Sequence, residues 1–347
     1  MSSPRIAGFE LVRRVTFAVL LLAAACKRSR PDEPSGANPA TQSSPSPAQA
    51  SAALSKPEPP PPTRLFALPE SGYGTTLFVD PDAVYLLTKD AAYRLMVGRE
   101  PVKLPLALGE GPAATRSAFV FWSDGAVFQA SKKDGKARRL APLAHQPQRF
   151  VAAGEHFAWL DHADDGRFTV QTLEGKKPRV LYTSRVEVDT IAMLDGLIVL
   201  VERAADSTWR FAAVSRSGGA PIYSKEHSGR TPAMLAVEKE LYYYDGNTFE
   251  IRRLARDLAS ETTLVKGQIC SPIAVAERIY CASVEGPFEI SEQSPTPTPL
   301  APPGGRTLTA LAAGPGRVAW VREEGAEALA VETVSVSNSA PAAPRAH

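Results

Sequence analysis

Seven recurrences of one apolar triplet predict an all-β chain, a seven-bladed β-propeller of four-stranded blades. The triplets are Val84-Tyr85-Leu86, Phe119-Val120-Phe121, Phe157-Ala158-Trp159, Leu197-Ile198-Val199, Leu241-Tyr242-Tyr243, Ile279-Tyr280-Cys281 and Val318-Ala319-Trp320. Their first members lie 35, 38, 40, 44, 38 and 39 residues apart, inside the range of propeller blades. The neighbours of the triplets recur as well. Finally, 31 prolines and frequent turn dipeptides interrupt any long 3.6-residue period, which argues against helix.

Each unit reads as four elements in order. An inner strand of small and aliphatic residues comes first, as in Leu77-Phe78-Val79, Ile191-Ala192-Met193, Leu235-Ala236-Val237 and Ile273-Ala274-Val275. The triplet is the second strand. A third follows with the period-two alternation of a half-buried strand, as in Val127-Phe128-Gln129, Phe168-Thr169-Val170, Phe249-Glu250-Ile251 and Phe288-Glu289-Ile290. A turn marked by Asp134-Gly135, Glu174-Gly175 or Gly218-Gly219 leads to a fourth, such as Arg138-Arg139-Leu140 or Arg179-Val180-Leu181. The seventh unit is short after Leu329-Ala330-Val331, while Arg64–Leu68 has a fourth-strand pattern ahead of the first inner strand. This N-terminal strand is expected to complete the last blade and remove an open sheet edge.

The Tyr-rich second strand and Gly-marked turn resemble the YWTD-like and TolB-like propellers of secreted bacterial proteins. The resemblance spans residues 64–336, and Tyr243-Tyr244-Asp245 is the nearest echo of the YWTD tetrapeptide.

Residues 1–25 have the order of an export signal. Arg5, Arg13 and Arg14 precede an uncharged run, Val15–Ala25, and three alanines stand before Cys26. The 11 residues of that run fall short of the roughly 20 a spanning helix needs. Small residues before a cysteine resemble the lipobox of bacterial lipoproteins, with Ala23 where that family prefers leucine. The resemblance implies cleavage before Cys26 and lipid on its thiol; an ordinary export signal would leave Cys26 incidental. Residues 26–63 then form a lipidated cysteine and a linker holding ten prolines between positions 27 and 63. Such chain buries too little apolar surface to offset its ordering entropy, and it extends at about 3.1 Å per residue in the polyproline form. The expected domain layout is signal 1–25, linker 26–63, propeller 64–336 and a loose tail 337–347.

Removing residues 1–25 takes away Arg5, Arg13, Arg14 and Glu10 and leaves 36 basic and 36 acidic residues. No extended basic track of the kind that follows nucleic acid stands out. The densest basic patch, Lys132, Lys133, Lys136, Arg138 and Arg139, flanks Asp134-Gly135 and reads as a solvated hairpin end. With Cys26 assigned to lipid, Cys270 and Cys281 remain. A hairpin centred between Val275 and Ala276 would pair them directly, and an exported chain meets oxidising conditions. Two buried thiols are the alternative.

No residue is assigned to catalysis, metal or ligand, and no cofactor is implied. The five histidines lack metal-motif spacing. His156 and His162 could meet across a hairpin near Asp161, Asp164 and Asp165, but 161–166 reads as a polar turn between two strands rather than a metal loop. Gly314-Pro315-Gly316-Arg317-Val318-Ala319 matches GxGxxA but precedes a strand, so it is not a dinucleotide site. There is no GxSxG elbow, P-loop or kinase set. Trp159 and Trp320 belong with the core, whereas Trp209, at the start of a third strand, is the tryptophan expected to be partly exposed.

These readings imply a monomeric, lipid-anchored binding or scaffolding module at a bacterial cell envelope, facing periplasm or exterior. Its partner would be an envelope protein or glycan, with no nucleic acid. The alternative is an envelope lyase or hydrolase with a site assembled from distant loops. A third reading is capture of a strand at an open blade edge.

Overall fold

Seven four-stranded antiparallel sheets carry the seven triplets, each on a second strand. The computed structural model describes residues 59, 61–68, 75–88, 90–106, 111–205, 207–237, 240–270, 273–276, 278–283, 285–291, 294–302, 308–324 and 328–336. The export segment, Cys26, most of the linker and the tail lie outside them.

Strand β1 (Thr63–Leu68) comes before the first blade, which is β2 (Thr76–Val79), β3 (Val84–Leu87), β4 (Ala92–Leu95) and β5 (Val102–Leu104). Blade 2 is β6 (Ala113–Ala114), β7 (Ala118–Ser123), β8 (Ala126–Ser131) and β9 (Ala137–Pro142). Blade 3 is β10 (Arg149–Ala153), β11 (His156–His162), β12 (Phe168–Glu174) and β13 (Lys177–Ser184). Blade 4 is β14 (Val188–Leu194), β15 (Leu197–Ala205), β16 (Thr208–Ser215) and β17 (Ile222–Ser228). Blade 5 is β18 (Ala233–Val237), β19 (Glu240–Asp245), β20 (Glu250–Leu254) and β21 (Glu261–Lys266). Blade 6 is β22 (Ile273–Val275), β23 (Ile279–Ser283), β24 (Gly286–Ser291) and β25 (Ser294–Pro299). Blade 7 is β26 (Leu308–Gly314), β27 (Arg317–Glu323) and β28 (Leu329–Ser335), with β1 as its outer strand.

The N-terminal strand therefore closes the ring. Its register runs from Thr63↔Thr333 to Leu68↔Leu329, with an irregularity between Arg64 and Phe66. A sheet exposes two faces, so each blade buries one face on each neighbour, and the core is split into seven clusters, one per junction. Tyr85, Leu87, Phe119 and Phe121 fill the junction of blades 1 and 2; Val120, Val127, Phe150 and Trp159 fill that of 2 and 3. Leu160, Val170, Ile198 and Val214 join blades 3 and 4. Trp209, Phe211, Tyr243 and Leu254 join 4 and 5, and Tyr244, Ile251, Ile279 and Ile290 join 5 and 6. Tyr280, Val318 and Trp320 join 6 and 7, and Leu77, Val84, Leu329 and Val331 join 7 and 1. The small residues of the inner strands have a steric cause. A Cβ on Gly314 of β26 would stand 2.6 Å from the Val79 carbonyl oxygen of blade 1, so backbone contact between inner strands explains the first glycine of the GxGxxA match.

Three expectations are corrected in detail. Trp209 is only 1% exposed. It stacks on His227 with ring centroids 4.2 Å apart and meets Phe211 and Tyr243 edge-on. A tryptophan at the start of a third strand still faces the next blade, and that junction buries it. Phe249 precedes β20 rather than starting it, has φ of 54° and is exposed, so the turn breaks the alternation there. The polar turn read at 161–166 does join β11 to β12; His156 and His162 are the two ends of β11, and His162 stacks on Phe168. Finally, Cys281 is paired with Ile273, not Cys270. Cys270 lies three residues before β22, and a disulfide joins it to Cys281 across a Cα–Cα distance of 4.8 Å. The bond thus ties the link from blade 5 to the second strand of blade 6. Closing its 11-residue span is worth about 3 kcal/mol in the loop-entropy account.

The junction of blades 4 and 5 also holds buried charge. His227 Nε2 lies 2.9 Å from Glu261 Oε1, close but not aligned as a hydrogen bond, and Arg252 and Lys225 approach the same carboxylate. Burial raises the Glu261 carboxyl, but the contact with His227 and its charge, with Lys225 and Tyr243, outweigh burial and hold it at about 2. The folded value lies below the ordinary 4.5. Its stabilisation is therefore complete above the ordinary value and is lost as pH falls toward the folded one. Melting temperature should fall more steeply for the native protein than for Glu261→Gln as pH drops through this window. Parallel curves would contradict the assignment.

Candidate functional site

A cleft of about 810 Å³ opens over the junction of blades 1 and 2, with Arg317 of blade 7 at its edge. It is built from turns that join strand 1 to 2 or strand 3 to 4: β2–β3, β4–β5, β6–β7, β8–β9 and β26–β27. In an antiparallel ring these turns all fall on one face, so residues far apart in sequence gather there without a local motif.

The lining is strongly basic. Arg94, Arg99, Arg116, Lys132, Lys133 and Arg317 face Asp80 and Asp82 as the only carboxylates in the lining. Lys132 is the anchor. It was expected on a solvated hairpin end, but it is 6% exposed. Its ammonium donates to Asp80 at 2.9 Å and lies 5.5 and 5.9 Å from the centroids of Tyr85 and Phe119. Gly135 makes this possible: with φ of +71°, it brings the β8–β9 turn so close to blade 1 that a Cβ would meet Pro105 at 2.7 Å. The Asp134-Gly135 signal thus marks a close approach as well as a turn.

With Lys132 neutralised by Asp80, the remaining cations dominate the cleft. Arg94 donates from Nη1 to the Lys133 carbonyl at 3.0 Å. Among the described residues Arg94, Arg99, Arg116, Lys133 and Arg317 form no ion pair. Arg94 Nε and Arg317 Nη1 are buried without a hydrogen-bond partner. Unpaired buried donors are costly, about 1–3 kcal/mol each or more when charged; both atoms are closed to solvent, so the cations a ligand can reach are the exposed Arg99, Arg116 and Lys133. Tyr85 enters the cleft as a hydroxyl. Burial raises its pKa, Asp80 and Asp82 raise it further, and Arg94 opposes them.

The other residues that the sequence singles out lie elsewhere or outside the described region. Trp159 and Trp320 are core, at 0% and 1% exposure. Cys270 and Cys281 are joined at blade 6, and Cys26 is outside the described residues. Among the described residues, no group of three or more His, Cys, Asp or Glu side chains is placed to hold a metal ion. Sequence reasoning noticed Lys132 and Lys133 but missed Arg94, Arg99, Arg116 and Arg317. Their common signal is position, each in or beside a 1–2 or 3–4 turn, and it becomes readable only once the blade register is laid out.

No family model matches the chain, and no curated protein is found similar to it. Solved structures are similar in fold. The puromycin-hydrolyzing peptidase of Mycobacterium tuberculosis aligns with a TM-score of 0.58 at 16% identity, over 81% of this chain and 55% of that one; the chain thus spans about half the peptidase. An oligogalacturonate lyase solved with manganese gives 0.56 at 10% identity, over 79% and 96%. The Cps50 (Swd1) β-propeller domain of Myceliophteria thermophila gives 0.56 at 10% identity, over 78% and 99%. The chain is a β-propeller. At these identities the likeness is one of fold, and fold does not fix function.

Proposed function

We propose that this chain is a lipid-anchored binding module of a bacterial cell envelope, and that its basic cleft holds an acidic envelope glycan. The reading rests above all on Arg99, Arg116 and Lys133, exposed and, among the described residues, without an ion pair in a cleft whose cations outnumber its carboxylates. Guanidinium groups recognise carboxylate and phosphate through two parallel donors, and a glycan bearing either presents such groups at intervals along a wide, open cleft. The export pattern before Cys26 and the proline-rich linker support a tether that holds the ring away from a membrane.

Two experiments test the two halves. Cys26→Ser should move the protein out of the membrane fraction or leave it unprocessed. Partition into detergent unchanged from the native protein would contradict lipid anchoring. Arg99→Ser with Arg116→Ser should weaken binding to a uronate polysaccharide by roughly tenfold or more, at about 1–2 kcal/mol per charged contact, while the melting temperature stays unchanged. Binding unaffected by the pair would contradict the cleft.

The same cleft supports a second reading, because Asp82 and the Tyr85 hydroxyl share its mouth with the arginines. Such convergence is what a lyase or hydrolase would need, and solved propellers of similar fold include a lyase and a peptidase. New chain ends or unsaturated products from the bound polysaccharide would establish catalysis in place of binding. Strand capture has less support. The outer strand of blade 6, β25, has the sequence SPTPTP, and prolines blunt an edge against pairing.

A further inference from the structure

A second cavity, of about 600 Å³, opens on the ring axis and is bounded by the inner strands of blades 7, 1, 2, 3 and 4. Its lining mixes polar surface, from Thr76, Gln148 and backbone, with the apolar side chains of Phe78, Val151, Met193 and Leu311, and Arg149 is its single ionisable residue. Arg149 begins β10, at the end of the inner strand where the chain enters the blade. That places it toward the face opposite the basic cleft.

The guanidinium is half-committed. Nη1 donates to Thr190 Oγ1 of blade 4 at 2.8 Å, which fixes the side chain across the junction of blades 3 and 4. Among the described residues Nε and Nη2 have no protein partner, and no carboxylate pairs with the group. Its surface is open to the channel, yet protein surrounds it closely enough that desolvation lowers its pKa from the ordinary value. An exposed cation at the channel beside apolar side chains, with one donor fixed and a two-donor edge free, matches one ligand chemistry. A carboxylate accepts both free donors, and an apolar body behind it covers the aliphatic walls.

We propose that the axial channel binds a small carboxylate with an apolar body, its head group held by Arg149 and its body against Phe78, Met193 and Leu311. A free short-chain acid and the C-terminus of an apolar peptide present the same chemistry. Calorimetric titration of the purified protein distinguishes them with four probes: octanoate, octanamide, and acetyl-Leu-Val-Ala with a free or an amidated C-terminus. The carboxylate member of each pair should bind about tenfold or more tighter than its amide, the scale of a charge-assisted, two-donor contact. Arg149→Gln should remove that preference, and Arg149→Lys, a point charge without the fork, should keep part of it. Tighter binding of the free peptide assigns the natural source to a chain terminus; tighter binding of octanoate assigns it to a free acid. The proposal is overturned if acid and amide bind the native protein equally, if no probe binds, or if folded Arg149→Gln keeps the preference. Should Arg149→Gln fail to fold, the acid-against-amide comparison on the native protein still decides.

Discussion

Deleting residues 1–70 should lower the melting temperature by roughly 10 °C or more relative to deleting 1–60, at about 2–4 °C per kcal/mol for a domain of this size. The longer deletion removes β1 and the shorter leaves it whole. Without β1, blade 7 loses its outer strand and the ladder from Thr63↔Thr333 to Leu68↔Leu329. Leu65, Phe66 and Leu68 leave the cluster built on Leu77, Val84, Leu329 and Val331. Phe66 also packs against Tyr93 of blade 1, with tilted rings whose centroids lie 4.7 Å apart, so the strand holds two blades together. Arg64 loses its pair with Glu324, which is solvent-exposed and contributes little. Partial burial of three large apolar side chains and the net worth of the ladder together give roughly 5 kcal/mol. The exposed edge of β28 should also promote association. Equal melting temperatures for the two truncations would refute closure by β1.

Arg210→Ala should cost about 3–5 kcal/mol, the range for leaving one buried charge without its partner. Glu202 is fully buried in β15. Arg210 donates to its Oε2 from Nε and Nη2 at 3.1 and 3.0 Å, and Tyr182 donates to Oε1 at 2.7 Å. The Arg210 guanidinium also lies over the Tyr223 ring at 4.2 Å. Removing the arginine leaves a buried carboxylate with one neutral donor. Removing both charges is far milder, because apolar residues of similar size fill such sites without the desolvation cost. Denaturant unfolding of Arg210→Ala beside Glu202→Met with Arg210→Met should show the single change as the more damaging. The opposite order would contradict this account of the pair.

The blades were legible because each repeats the same short-range demands. Val84, Phe119, Phe157, Leu197, Leu241, Ile279 and Val318 all fall on second strands, since a strand buried on both faces must be apolar without a break. Closure was legible for a related reason: Leu65, Phe66 and Leu68 have an outer-strand pattern in a place where no local partner exists. What a single strand cannot encode is the neighbouring blade. Trp209 looks marginal on β16, yet His227 and Tyr243 cover it from elements 18 and 34 residues away. The disulfide was sensed from spacing, but its register was missed, because the hairpin closes at Val275↔Ile279 and leaves Cys270 outside it. The basic cleft was the least legible. Arg94, Arg116 and Arg317 are each ordinary surface residues until the ring places three blades around one opening. Lys132, in a patch that reads as solvated, is buried because Asp80 arrives from another blade.

The most direct test of the cleft's role is the ionic-strength dependence of binding to a uronate polysaccharide and to its neutral, carboxyl-reduced counterpart. If Arg99, Arg116 and Lys133 contact the acidic groups, the native protein should prefer the acidic polymer strongly at low salt. That preference should weaken as salt screens the contacts, and Arg99→Ser with Arg116→Ser should flatten the salt dependence. Equal affinity for acidic and neutral polymers, or a salt dependence unchanged by the double substitution, would contradict an anionic glycan in this cleft.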